Sequence, residues 1–99
     1  MKISKTLNND ELTLAISGEL NTTTYQELED VVKNSLNGIK KLVFDFKELE
    51  YISSAGLRAL LSLKKNLSGS GKELEVHNLN PVCQEVFKVT GFNNILTIK

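Results

Sequence analysis

Leu42-Val43-Phe44-Asp45-Phe46, followed four residues later by Tyr51-Ile52-Ser53-Ser54-Ala55-Gly56-Leu57-Arg58-Ala59-Leu60-Leu61, decides the fold of this chain. A nearly continuous apolar run reads as a strand buried on both faces, with Asp45 near its C-terminal end accepting hydrogen bonds from the following loop. A turn then delivers two hydroxyls and two small residues to the head of a leucine-rich helix. Backbone N–H groups at a helix start lack intrahelical partners and the macrodipole is positive there, so a hydroxyl caps well and a phosphate is stabilised. Two readings of Ser53 and Ser54 follow. One is a capping serine on an ordinary helix; the other is a pair of hydroxyls left open by Ala55 and Gly56.

Upstream, Ile3–Leu7 and the alternating Leu12-Thr13-Leu14-Ala15-Ile16 flank the turn formers Asn8-Asn9-Asp10, which predicts an antiparallel hairpin. Gly18-Glu19-Leu20-Asn21 closes the second strand. Thr22-Thr23-Thr24 opens a helix, with Thr24 and Glu27 spaced as a capping box, Leu28, Val31, Val32 and Leu36 inward, and Asn37-Gly38 at its end. Lys47–Glu50 reads as a plain connection to the serine helix. Downstream, Leu57, Leu60, Leu61, Leu63 and Leu67 face inward until Ser68-Gly69-Ser70-Gly71 stops the helix. Leu74–His77 is the next strand, with His77 a polar residue at its end. Asn80-Pro81 starts the last helix, with Val82, Cys83, Val86, Phe87 and Val89 inward and Gly91 at its end. Ile95–Ile98 closes the chain as a short edge strand.

The order β-β-α-β-α-β-α-β predicts an α/β fold, a single domain spanning 1–99: a mixed sheet with parallel inner strands and flanking helices. Crossover helices put the loops after strands two, three and four on one edge of such a sheet. Leu20, Asn21, Thr22 and Thr23, Ser53 to Gly56, and Asn78 to Asn80 are therefore expected to form one surface.

Composition narrows the function classes. Twelve Lys plus Arg balance twelve Asp plus Glu, so no general field draws nucleic acid or anionic lipid. Cys83 is the one cysteine, which excludes an intramolecular disulfide and a thiolate metal site, and it reads as a small buried hydrophobe. No apolar run reaches the roughly 20 residues that span a bilayer, and Met1–Lys5 leads into a strand without a secretory h-region, so a cytoplasmic chain is expected. There is no glycine-rich phosphate loop, no His/Cys/carboxylate cluster and no Gly-x-Ser-x-Gly elbow. No cofactor, metal or catalytic residue is expected, and a serine without a base is better suited to being a substrate than a nucleophile.

The segment Tyr51–Arg58, together with Gly18-Glu19-Leu20-Asn21, resembles the signature of STAS domains, in particular the bacterial anti-sigma factor antagonists. The resemblance covers nearly the whole chain and implies the same architecture. Matching the Gly-Leu pair to the family's Asp-Ser-Ser-Gly-Leu puts the phosphorylated serine on Ser54. Ser53 stands where the family has Asp and is the rival site, Ala55 stands for the second serine, and Asn21 replaces an Asp in a loop that contacts the kinase partner. That loop reads equally as a helix entry with Asn as a turn residue.

Carried over, the resemblance implies a monomeric binding module whose partners are an anti-sigma factor that is also a serine kinase, and a serine phosphatase. Unmodified, the Ser54 edge docks on the anti-sigma factor and releases the sigma factor; phosphate on Ser54 blocks docking, with Arg58 one turn along to pair with it. The alternative is a non-switching STAS subunit of a lipid-transport or stress-signalling assembly. Nucleotide binding has no motif behind it.

Overall fold

Strand alternation sets the architecture in the computed structural model, which describes residues 1–99. The strands are β1 (Lys2–Asn8), β2 (Glu11–Leu20), β3 (Lys41–Asp45), β4 (Leu49–Ile52), β5 (Glu73–His77) and β6 (Thr97–Ile98). The helices are α1 (Tyr25–Lys33), α2 (Ser54–Gly69) and α3 (Pro81–Thr90), with a 3₁₀ turn at Phe92–Asn94. The predicted hairpin forms, with Asn9 and Asp10 between the paired Asn8 and Glu11. The sheet runs β1-β2-β3-β5-β6, parallel from β2 onward, and β4 pairs parallel with the end of β2.

Paired residues in neighbouring strands point to the same face, so the register divides the sheet cleanly. Leu12, Leu14, Ile16, Leu42, Phe44, Leu74 and Val76 share one face, and all belong to a single core cluster with Leu28 and Val32 of α1, Leu57, Leu60, Leu63 and Leu67 of α2, and Cys83 and Phe87 of α3. All three helices therefore cover one face. The other face carries Thr13, Ala15, Lys41, Asp45, Glu75 and His77 and has no helix over it.

The expected burial of Leu42–Phe46 on both sides holds: Val43, on the face without a helix, is 3% exposed although it lies outside the core cluster. Val82 and Val89 are corrected: both are exposed, because the buried arc of α3 is centred on Cys83 and Phe87, and a helix of this length can bury only one stripe. The first helix stops at Lys33, short of Asn37-Gly38; Ser35 then donates its hydroxyl to the Val31 carbonyl. Leu61, at the edge of the stripe, is half-buried and packs against the core. The terminal strand shrinks to Thr97–Ile98 because the 3₁₀ turn tucks Phe92 edge-on against Phe87, with ring centroids 5.7 Å apart.

Candidate functional site

The largest departure from the sequence reading lies beside the serines. Leu49–Ile52 is a strand, with Leu49 and Ile52 buried and Glu50 and Tyr51 exposed. It reaches the end of β2 through a register shift between Gly18 and Glu19. Gly18 adopts φ +91, a left-handed conformation that a side chain would strain, and donates its N–H to the Glu48 carbonyl at 3.2 Å. Beyond the bulge Leu20 pairs with Ile52, and the Ser53 N–H donates to the Leu20 carbonyl at 2.9 Å. The entry to α1 and the head of α2 are thus locked at one level.

Gly56 brings α2 down onto this pair. A Cβ there would sit 2.8 Å from both the Leu20 carbonyl oxygen and Ile52 Cγ1, inside contact distance of backbone that cannot move aside. Only glycine permits the approach. Ser53 is the N-cap: its extended backbone precedes the helix and its Oγ accepts from the Gly56 N–H at 3.3 Å. Ser54, the first helical residue, is exposed, and its hydroxyl makes no hydrogen bond within the chain. The two candidate serines therefore differ in kind.

The neighbouring loop is ordered by Asn21. Its Oδ1 accepts from the Thr23 N–H at 3.0 Å and the Thr23 hydroxyl at 2.8 Å, and its carbonyl accepts from the Tyr25 N–H at 2.9 Å. An amide oxygen does this as well as a carboxylate, so Asn in place of the family's Asp keeps the turn and loses only the charge. The predicted capping box is absent. Thr24 precedes α1 without a side-chain cap; its hydroxyl instead accepts from the Asn21 N–H at 2.8 Å and donates to the Glu19 carbonyl at 2.9 Å.

Leu20–Thr23 and Ser53–Gly56 are brought together as expected, but Leu20, Ala55 and Gly56 are buried and support the surface from beneath. The exposed set is Thr22, Thr23, Ser54 and Arg58, with half-buried Asn21 and Ser53. Asn80 meets the other end of β4 and Asn78 the end of β3. Asn80 caps α3 by accepting from the Cys83 N–H at 2.8 Å and donates to the Leu49 carbonyl, while Asn78 donates to Asp45 at 3.0 Å. Leu49 precedes Ser53 by four residues, about 13 Å along a strand, so this corner belongs to the site's scaffold. Asp45 also accepts from the Lys47 N–H at 3.0 Å, the structural role read from sequence.

Tyr25, Glu29 and Ala59 are the residues that sequence reasoning missed. With Thr22, Ala55 and Arg58 they line an open groove between α1 and α2. Their signal was the helical spacing of Tyr25 to Glu29 and of Ala55 to Ala59, which marks two faces able to meet but not which faces do.

Remote from this site, Glu75 on the open sheet face is bonded by Lys41 at 2.9 Å, His77 at 2.8 Å and Lys99 at 3.5 Å. The His77 hydrogen bond first, and then Lys41, hold its carboxyl down to about 2, and the Glu75 hydrogen bond in turn raises Lys41. Burial pushes the Cys83 thiol up, away from the reactive thiolate. No three His, Cys, Asp or Glu side chains converge where a metal ion could sit, and no helix is long and apolar enough to cross a membrane.

A mixed sheet covered by helices on one face, with a free hydroxyl at the head of the helix after β4, defines a STAS-type domain. The sequence profile described as "Mlab, STAS domain" matches residues 3–97, and the chain belongs to that family. BtrV of Bordetella bronchiseptica, named as an anti-sigma factor antagonist, is 32% identical over 99 residues, covering 99% of this chain and 85% of BtrV. Among solved structures, a Thermotoga maritima protein named as an anti-sigma factor antagonist superimposes with a TM-score of 0.90 at 21% identity, covering 97% of this chain and 84% of its own. SpoIIAA of Bacillus superimposes in its unphosphorylated form with a TM-score of 0.77 at 13% identity, covering 99% and 87%. Its phosphorylated form gives 0.76 at 14%, covering 99% and 91%.

Proposed function

We propose that this chain is an anti-sigma factor antagonist of the cytoplasm, controlled by phosphorylation at Ser54. Its partners are an anti-sigma factor that is also a serine kinase, which it binds when unmodified, and a serine phosphatase that resets it. The observation that carries this is the division of labour between the serines: Ser53 is spent on the cap, whereas the Ser54 hydroxyl is exposed and unengaged. The relatives named as antagonists support the partner class.

Phosphate adds about −1.5 to −2 charge at pH 7. Within the domain the positive end of α2 stabilises it. In a complex the same charge lies against the partner, where a like-charge or unpaired contact costs several kcal/mol. A loss of about 4 kcal/mol weakens a micromolar complex roughly a thousandfold. The switch needs no refolding.

Calorimetric titration against the cognate anti-sigma factor tests the reading. Ser54→Asp should bind about a thousandfold more weakly with an unchanged melting temperature, and Ser54→Ala should bind constitutively. Radiolabel from the kinase should vanish in Ser54→Ala and persist in Ser53→Ala. Unchanged affinity of Ser54→Asp, or label retained in Ser54→Ala, overturns it.

A further inference from the structure

Arg58 is exposed and makes no ion pair, although it lines the same α1–α2 groove as the half-buried Glu29. It also stands four residues after Ser54, so their Cβ atoms are about 5–6 Å apart on one helix face. The adjoining groove positions on α2 are Ala55 and Ala59, which put no bulk in the path of the guanidinium. Building on the assignment of Ser54 as the modified residue, we infer that Arg58 has two stations: in the unmodified protein it forms one wall of the groove with Thr22, Tyr25 and Glu29, and in the phosphorylated protein it leaves the groove to pair with the phosphate.

The chemistry favours the move. A guanidinium and a phosphate make a charge-assisted, bidentate pair, whereas in the groove Arg58 gives up no ion pair when it leaves. Phosphorylation then does more than add charge at one point. It withdraws a cation from the groove that Glu29 also lines, and alters the surface offered to a partner at the α1–α2 junction. The modified state is marked by a rearranged side chain as well as by the phosphate itself.

Phosphoserine placed at position 54 during synthesis, without any kinase, gives the protein in which to test this. The second ionisation of its phosphate is followed by ³¹P NMR in the wild-type background, Arg58→Ala, Arg58→Lys and Lys65→Ala, the last removing an exposed cation farther along α2. A neighbouring cation favours the dianion, and for an exposed pair the wild-type titration should lie about half a unit below that of Arg58→Ala. Arg58→Lys should recover part of the shift and Lys65→Ala none. The Arg58 Nε–Hε resonance and the Tyr25 ring resonances should both move on phosphorylation of the wild-type protein. Coincident titrations for wild type and Arg58→Ala, or unmoved Tyr25 resonances, overturn the inference. Failure of a kinase to label Ser54 overturns the proposed function instead, and leaves this titration standing.

Discussion

The heads of α2 and α3 are built on the same physics and used differently. Each begins with an extended residue whose side-chain oxygen accepts from a backbone N–H three residues on, Ser53 from Gly56 and Asn80 from Cys83. At α3 the next residue is Pro81, which offers no hydroxyl and no N–H, and the Asn80 amide also holds the Leu49 carbonyl. Every polar group there works for the fold. At α2 the next residue is Ser54, whose hydroxyl the fold does not use and which stays exposed while Gly56 presses the helix onto the end of β2. A helix start becomes a candidate site when its cap is complete and an unengaged hydroxyl is left over.

The contrast is broken most severely by Gly56→Ala. The new methyl meets the Leu20 carbonyl, and overpacking against backbone outweighs the gain in helix propensity by roughly 2–3 kcal/mol. The thermal midpoint should fall on the order of 10–20 °C. An unchanged midpoint would mean that α2 is free to lift, and the two heads would then differ only in sequence.

Asn80→Ala comes next. It removes a cap and the donor to Leu49, for about 2 kcal/mol, whereas Ser53→Ala removes a single cap bond for about 1 kcal/mol. Denaturant titration of both variants ranks them. Equal losses would deny that α3 is the more deeply committed head.

The smallest effect lies on the open sheet face. With its carboxyl held at about 2 against an ordinary 4.5, Glu75 contributes stability that is complete above pH 4.5 and is lost as the pH falls through 2. The group is covered by Lys41, His77 and Lys99 rather than by depth, so water is one side chain away and the contribution is modest. Glu75→Gln should flatten the decline of the urea midpoint between pH 4.5 and 2. A parallel decline in both proteins would assign acid sensitivity to other carboxylates.

Most of the architecture was legible in local patterns. The period-two run of Leu12, Leu14 and Ile16 and the breaks at Asn9-Asp10 and Ser68–Gly71 report directly on backbone geometry. What escaped was β4. Leu49-Glu50-Tyr51-Ile52 has apolar ends around a polar centre, a pattern without strand period, because the strand pairs across a bulge and only its two ends turn inward. Val82 and Val89 escaped for a related reason: an apolar residue does not announce which side of its helix meets the sheet.

The sequence by itself determined the order of every element except β4, the parallel run of the inner strands, and Ser53 and Ser54 at the start of α2, since these follow from residue spacing and cap chemistry within a few positions of chain. Tertiary structure alone decided that Ser53 is engaged and Ser54 free, that Leu20 and Gly56 lie beneath the site, and that Tyr25, Glu29 and Arg58 share a groove. Those facts depend on how closely α2 approaches β2. That distance is set by residues more than thirty positions apart in the chain, and no local pattern encodes it.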